Sequence, residues 1–564
     1  MDFKAAIAQS VAAATGLEAQ DVAQMLETPP SADMGDYALP CFKLAKTLRK
    51  APAAIADGIA QQMERPAWLS RVESVKGYLN FFLDRALLVE SVLAPVMEQG
   101  GRYGSSDMGG GRTVCIDYSS INIAKRFHIG HLPSTVLGHA LYRLNNFMGY
   151  KSVGINHLGD WGTQFGKMIA AYKRWGSREM VEEGGVDALS SLYVRFHAEA
   201  EENKALEDEG RAWFKKIEDN DEEAMSIFSW FKEITLKDAM KTYDLLGISF
   251  DSYAGESFYN DKMDRVIDEL EAKGLLVESE GAKVVRLDDY QMPPCMILKK
   301  DGATLYATRD IAAALYRKDT YDFAKCLYVV AYQQNLHFKQ WFKVIELMGY
   351  DWYPTLEHVA FGMVSFEGQT LSTRKGRVVY LDDLLQGALE KARAIIEEKN
   401  PDLPNKDEVA RQVGIGAVVF TALFNNRIKD IDFWWDRALN FDGETGPYVQ
   451  YTYARCCSLL RKGGYQPGPC DYSLLTDDEA LALVKVLEAF PQVVEEACRR
   501  NEPYLLTRHM VALAQAFNRY YIEHRILEEQ DEAGNHARLT LTAAARQVIK
   551  TGLWLLGIEA PEQM

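Results

Sequence analysis

The sequence predicts an α/β protein: a Rossmann-like core of parallel sheet and crossover helices, with an α+β unit before it and an all-α bundle after it. Three observations carry that prediction. Between residues 111 and about 397, apolar runs of strand length alternate with stretches of helical period, the pattern of a parallel sheet with crossover helices. That region opens on a strand-loop-helix join crowded with polar residues, from Asp117 to His131. Beyond a polar, proline-bearing break at 399–407 the chain reads as long helices to its end.

The 564 residues leave room for several domains, and 48% hydrophobic with 25% charged residues is ordinary globular composition, which excludes a disordered chain. A formal net charge of −17 argues against a protein that coats nucleic acid or anionic membrane indiscriminately, while leaving a local basic face free to bind RNA. The opening Met-Asp-Phe-Lys-Ala-Ala lacks the basic and apolar regions of a signal peptide, and no stretch approaches the length of a membrane span, so a cytoplasmic location is expected. Eight cysteines are scattered with no Cys-x-x-Cys pair. Reduced thiols are expected, with no disulfide framework and no metal site.

Residues 1–110 form the first unit, with helical patterns at 2–15, 36–49 and 52–63 and strand-like runs at 71–75 and 78–83. Gly109-Gly110-Gly111 closes it. Lys43, Lys46, Arg49 and Lys50 make one side of a helix basic, which suits an RNA contact and a solvated surface equally.

In the core, 112–118 reads as a buried strand, and Val136, Leu137, Ala140, Leu141, Leu144 and Met148 recur at helical spacing up to Gly149. A helix start at the carboxyl edge of a parallel sheet offers unpaired N–H groups and positive dipole to a phosphate. His128 and His131 sit at that start, able to donate to phosphate oxygens as charge builds on them. Gly130 between them admits a ligand close to the backbone, where any Cβ would intrude. A bare His-x-x-His also suits a helix cap; Asp117, Asn122 and Lys125 in the same loop favour a site.

Asn122-Ile-Ala-Lys125 followed by His-Ile-Gly-His resembles the signature of class I aminoacyl-tRNA synthetases, in the variant carried by arginyl-tRNA synthetases. The resemblance implies that His128, Gly130 and His131 bind ATP. It extends to His157-Leu-Gly-Asp-Trp-Gly-Thr-Gln-Phe-Gly166, where it adds Gly159 and Asp160 to the ATP site. Gly35-Asp-Tyr-Ala38 and Gly77-Tyr-Leu-Asn-Phe81 are similar to the family's amino-terminal domain, whose implied role is to hold the outer corner of the tRNA. Ile121 and Pro133 stand where many relatives carry proline and arginine.

Charged residues crowd the sequence from about Arg178, and the stretch 178–290 reads as helices inserted into the nucleotide fold, structural or RNA-facing and not an editing domain. The sheet pattern then resumes. A guanidinium is a planar fork of five donors, so a site selective for arginine needs carboxylates, amide oxygens and an aromatic plane. Asp117, Tyr306, Asp310 and Gln334 supply them, and the resemblance points to the same positions, with Ser120, Asn122 and His128 nearer the substrate's amino acid end. The plainer alternatives are a helix cap paired to Arg309 for Asp310 and a helix-start residue for Gln334. A strand is expected at 357–364, and Leu371-Ser-Thr-Arg-Lys-Gly376 after it partly resembles the class I Lys-Met-Ser-Lys-Ser loop. That likeness implies that Ser372, Arg374 and Lys375 hold the leaving pyrophosphate, with Lys125 substituting for a missing cation. The implied catalytic set is Lys125, His128, His131, Arg374 and Lys375.

Helices are expected at 410–424, 446–460, 478–499, 505–527 and 537–556. Gly446-Pro-Tyr-Val-Gln-Tyr-Thr-Tyr-Ala-Arg455 interleaves aromatics with polar and basic residues, as stacking on unpaired nucleotides requires, which makes Tyr448, Gln450, Tyr451 and Arg455 the RNA candidates. Phe517-Asn-Arg-Tyr-Tyr521 and the last residues resemble the family's anticodon-binding domain. Three domains follow: 1–110, 111–398 and 408–564. The activity implied by the resemblance is ATP-dependent ligation of L-arginine to tRNA(Arg) through an arginyl-adenylate, by a monomer that takes ATP with Mg2+ and needs no membrane. Two alternatives stay open, a small-molecule ligase or nucleotidyltransferase with the same histidine motif, and a non-catalytic RNA-binding paralogue. The carboxyl-terminal bundle counts against the first and the intact His128, Gly130, His131 and Lys125 against the second.

Overall fold

The structure, a computed structural model, describes residues 3–29, 31–300, 304–370 and 378–564. The chain divides into two compact units, one drawn from residues 1–103, 456–489 and 515–548, the other from 104–455, 490–514 and 549–564.

In the first unit, the helical period at 36–49 holds only for its second part. The chain there forms strand β1, Tyr37–Pro40, and then a 3-10 turn, Cys41–Leu44, and a short α-helix, Ala45–Leu48. Pro40 has no N–H for a helical bond four residues back, but it is tolerated at the end of an edge strand. With β2 (Leu69–Val75) and β3 (Tyr78–Leu83) it makes an antiparallel sheet of order β1-β3-β2. Gly35 is required at the entry to β1, because a Cβ there would lie 2.8 Å from the Phe81 carbonyl oxygen. Helices Phe3–Thr15 and Pro52–Gln62 match the sequence pattern, and Arg85–Gln99, capped by Asp84 accepting the Leu87 N–H at 2.9 Å, adds to it.

In the second unit, β4 (Thr113–Asp117) and β5 (Lys151–Ile155) pair in parallel. The insertion that follows holds helices Arg178–Glu202, Ala205–Glu218 and Glu222–Leu246. It ends in an antiparallel sheet of β6 (Leu276–Ser279), β7 (Ala282–Val285) and β8 (Cys295–Leu298), a feature that charge patterning does not predict. After helix Tyr306–Tyr321 come β9 (Lys325–Tyr328), helix Asn335–Leu347 and β10 (Leu356–His358). The central sheet is wholly parallel, with order β10-β9-β4-β5. Its strand order reverses at β4, so a crevice opens at the carboxyl ends of β4 and β9. A buried apolar cluster that includes Ile155, Ile297, Ile311, Leu315, Trp341 and Val344 packs on the sheet.

The single strand expected at 357–364 is two. β10 ends at His358, and β11 (Val364–Phe366) joins β12 (Gln369–Thr370) and β13 (Ile431–Phe433) in another sheet. Gly362 lies at the break, where a Cβ would sit 2.4 Å from the Lys429 backbone. The polar break at 399–407 is a turn between helices Leu381–Lys399 and Lys406–Leu423, which ion-pair across it through Arg393 and Asp407 at 2.7 Å and Lys406 and Glu397 at 2.8 Å. Helices Gly446–Lys462, Asp478–Arg500, Tyr504–Glu523 and Glu532–Leu555 complete the chain. No described helix is long and apolar enough to cross a membrane.

Helix Leu132–Phe147 reaches the sheet through Gly138, whose Cβ, were there one, would lie 2.2 Å from Tyr118 Cγ. Gly138→Ala overpacks that contact and lowers stability by about 1–3 kcal/mol. Urea unfolding midpoints of variant and parent check this; equal midpoints refute the close approach.

Candidate functional site

The loop after β4 is held in an unfavourable backbone conformation. Ser119, Ser120 and Ala124 all lie in the left-handed region, with φ of 68°, 48° and 63°. Such residues persist only where surrounding bonds determine them, and they cluster at functional sites. Here the bonds are explicit. Ser134 Oγ accepts the Ser119 N–H at 3.0 Å and donates to the Val329 carbonyl at 2.7 Å, tying the loop to the end of β9. Ser119 Oγ bonds Thr135 Oγ1 at 2.9 Å and Tyr243 Oη at 2.8 Å, and Ala124 N–H donates to Thr235 Oγ1 at 2.9 Å. Thr235 and Tyr243 belong to helix Glu222–Leu246, so the insertion braces the loop from within the protein.

The second loop, 157–166, is stitched to the first. Gly159 N–H donates to the Ile121 carbonyl at 2.9 Å, and Ile123 N–H to the Gly159 carbonyl at 3.2 Å. A Cβ on Gly159 would lie 2.4 Å from Asn122 Oδ1. Asp160 is fully buried, with Oδ2 2.5 Å from Lys232 Nζ and accepting from Ser257 Oγ at 2.7 Å, while Oδ1 accepts the Ser257 N–H at 2.8 Å. This corrects the expectation of a nucleotide contact by Asp160: its lone pairs are consumed inside the protein. Gly159 serves the fit of Asn122, whose side chain is exposed.

The two imidazoles stand together, ring centroids 4.0 Å apart. His128 caps the turn Ile129–His131 by accepting the Gly130 N–H on Nδ1 at 3.1 Å. A neutral imidazole that accepts on Nδ1 carries its proton on Nε2, which leaves an outward donor. His131 Nδ1 lies 3.3 Å from His128 N and 3.2 Å from His128 O, so that edge is engaged by backbone. Gly130 also makes room for a ring: a Cβ would fall 2.8 Å from His128 Cε1, displacing it. Burial, with help from Lys125, lowers the His128 pKa; burial, His128 and Lys125 push His131 down to about 3. Both rings are neutral at pH 7.

Backbone bonds dock the segment after residue 378 on this motif, Ile129 N–H to Val379 O at 2.9 Å and Leu381 N–H to Phe127 O at 2.8 Å. Ser372, Arg374 and Lys375 lie outside the described residues. Lys125 is exposed.

Asp117 already has partners inside the protein. Its Oδ2 is 2.7 Å from Arg317 Nη2, and Oδ1 accepts from Ser120 Oγ at 2.9 Å, with Arg317 only 1% exposed. Arg317 also reaches His157 Nδ1 at 3.3 Å, and the field at His157 includes Asp117, Asp310 and Asp160. Asp310 does not cap its helix through Arg309; it bonds His337 Nε2 at 2.5 Å. Arg309 faces Glu256 at 3.6 Å instead. Glu256 was not singled out from the sequence, being one more acid in a charged stretch. Burial raises its pKa to about 7, Arg309 pulling it down and Asp310 and Asp160 pushing it up. Tyr306, the first residue of helix Tyr306–Tyr321, is 68% exposed, and Gln334, exposed before helix Asn335–Leu347, makes no side-chain cap bond. Both are available to a ligand.

On helix Gly446–Lys462, Tyr451 is exposed with Arg455 over its ring at 4.9 Å, and Tyr448 is half-buried. Gln450 is fully buried, its amide donating to the Gln412 and Glu559 carbonyls at 2.9 and 2.7 Å. It fastens the helix and does not face RNA, a correction that follows from burial.

A family model described as tRNA synthetases class I (R), catalytic domain, matches residues 92–435. The chain belongs to the arginyl-tRNA synthetase family of class I enzymes. Models of the arginyl-tRNA synthetase N terminal domain and of the DALR anticodon binding domain match residues 1–83 and 449–564. The chain is 54% identical to an arginine–tRNA ligase of Alkaliphilus metalliredigens and 53% identical to one of Clostridioides difficile, each over 100% of both chains. Among solved structures, Thermus thermophilus arginyl-tRNA synthetase superposes with a TM-score of 0.81 at 27% identity, covering 100% of both chains. The family thus extends through both compact units.

His131 and His139, the latter also pushed down to about 3 by burial, titrate far below the ordinary value of 6.5. Between these values the unfolded chain binds protons that the folded one refuses, so stability is complete above about pH 6.5 and drains as pH falls. His139→Leu removes one such site, and its urea midpoint falls less steeply from pH 8 to pH 5 than the parent's. Parallel curves would disprove a buried neutral His139.

Proposed function

We propose that the chain activates L-arginine with ATP and transfers it to tRNA(Arg). Substrate carboxylate attacks the α-phosphate, a carboxyl O–P bond forms, and the bond to the β-phosphate oxygen breaks to release pyrophosphate. A terminal ribose hydroxyl of the tRNA then takes the acyl group, and AMP leaves. No protein nucleophile is required, so positioning and charge stabilisation supply the catalysis. The observation that carries this reading is the pair of neutral imidazoles at a helix start beside the crevice of a parallel sheet. His128 donates to phosphate oxygen through Nε2–H, His131 stands behind it, and Lys125 supplies positive charge, with Arg374 and Lys375 assigned the pyrophosphate. ATP enters as its magnesium complex, a substrate and not a resident cofactor.

For the guanidinium, Asp310, Glu256, Tyr306 and Gln334 form the acidic, amide and aromatic set, while Asp117 acts through Arg317. Asn122, Ser120 and His128 lie toward the amino acid end. Residues 1–110 are assigned the tRNA corner, 111–398 the chemistry, and 408–564 the anticodon, with Tyr448, Tyr451 and Arg455 as stacking and phosphate contacts.

ATP–pyrophosphate exchange with each amino acid, with and without total tRNA, tests the reading: arginine alone gives exchange. Exchange with another amino acid and none with arginine overturns it. His131→Ala lowers exchange by about a hundredfold, in line with the loss of the ring that holds the His128 donor in place, while tRNA binding by filter retention holds.

Glu256 adds a pH signature. It is protonated below about pH 7, and a bound guanidinium favours the carboxylate, so arginine binding releases a proton. The KM for arginine therefore falls as pH rises from 6 to 8, by up to about tenfold for one proton, and Glu256→Gln flattens the dependence. A parent KM independent of pH rules Glu256 out.

A further inference from the structure

We propose that Arg126 is a positioning residue for the imidazole pair, a role that deepens the nucleotidyl-transfer reading above and rests on it. Arg126 lies two residues before His128, on the loop whose strained backbone the insertion braces. Its guanidinium stacks on the Tyr380 ring, 3.8 Å from the centroid, and is 19% exposed. Nη2 reaches Asp382 at 2.7 Å and Asp383 at 3.4 Å, both in the first turn of helix Leu381–Lys399, and Nε reaches Asp187 at 3.5 Å.

These partners come from three parts of the chain. Tyr380 pairs by backbone with His128 itself, in an antiparallel bridge flanked by the bonds Ile129 N–H to Val379 O and Leu381 N–H to Phe127 O. Asp187 enters from the insertion, just after helix Arg178–Glu202 breaks its regular backbone at Gly185, where φ is 53°. Phe127, between Arg126 and His128, sets its ring edge against His131 at 5.3 Å.

Each ion pair alone is weak, because the carboxylates are half-exposed or more. The arrangement is different in kind: one mostly covered fork of donors bridges three carboxylates that would otherwise repel, offsetting one of their three charges, and its planar face covers the ring whose backbone flanks the histidine turn. Removing it frees Asp382 and Asp383 to part from the loop and loosens the bridge that fixes His128. A near-attack geometry lost by about 1 Å costs about a hundredfold in rate.

The test uses the full chain with Arg126→Ala, Arg126→Lys, Asp382→Asn and the double variant Arg126→Ala with Asp382→Asn. In ATP–pyrophosphate exchange with arginine, Arg126→Ala lowers kcat by about tenfold to a hundredfold. The KM for ATP stays within about threefold, Arg126→Lys is intermediate, and the double variant is no worse than Arg126→Ala, since the two share one interaction. The ring signals of His128 and His131, read by NMR of labelled histidine, shift in Arg126→Ala while the melting midpoint holds. Wild-type exchange by Arg126→Ala, or a loss of rate with unmoved imidazole signals, overturns the proposal. A parent that exchanges with no amino acid, even with total tRNA present, refutes the synthetase reading instead, and the imidazole signals then decide the positioning role alone. If Arg126→Ala fails to fold, Arg126→Lys and Asp382→Asn answer the same questions.

Discussion

The ion pair between Asp117 and Arg317 sets the terms for everything at the carboxyl edge of the sheet. It joins the end of β4 to helix Tyr306–Tyr321 at 2.7 Å, with both groups almost fully covered, so neither charge has water to fall back on. Breaking such a pair by removing one partner typically costs about 3–5 kcal/mol, because the other is left buried and unmatched. Arg317 has further reach than this one contact. Its positive charge lies beside His157 and 5.4 Å from the Tyr328 ring centroid, so it spans the crevice between β4 and β9. The protein therefore carries a buried guanidinium of its own at the carboxyl edge of the sheet.

That internal cation divides the acids of the site into two kinds. Asp117 and Asp160 are neutralised in place by Arg317 and Lys232 and act as framework. Asp310 and Glu256 are less completely matched, the first by an imidazole and the second by Arg309 at 3.6 Å, and Glu256 holds a proton well above the ordinary carboxylate range. A site in which fixed charge is already balanced, and two acids remain to be satisfied, favours a cation that brings several donors at once.

How much of this was legible in the sequence depends on whether a residue's role is set by its neighbours in the chain or by partners far from it. The strand-loop-helix join, the histidine turn and the alternation of strands and helices are local, and the period of apolar residues is enough to find them. The purposes of Gly159 and Asp160 are not local. Gly159 makes space for Asn122 on the other loop, and Asp160 meets Lys232 across 72 residues of chain. Gln450 shows the same limit: its place among aromatics reads as an RNA surface, but the helix turns it inward onto the Gln412 and Glu559 carbonyls. Glu256 was invisible because an acid in a charged insertion gives no sign of burial until the fold places Arg309 and Asp310 beside it. Likewise the first part of the helical period at 36–49 lost to Pro40 and to the demand of β3 for an edge partner.

The insertion shows how a segment outside the nucleotide fold becomes part of its chemistry. A loop with three left-handed non-glycine residues is costly, of order 1 kcal/mol or more for each, and would relax if left alone. Helix Glu222–Leu246 prevents this from one side, through Thr235 on Ala124, Tyr243 on Ser119 and Lys232 on Asp160. Tyr243 also takes a bond from Asn156 at the end of β5, so a single hydroxyl joins both loops of the site. The strain in the loop and the burial of its braces belong together, since hydrogen bonds hold most firmly where water cannot compete for them. Neutral imidazoles follow from the same exclusion of water: the burial that fixes the loop also removes the charge from His128 and His131.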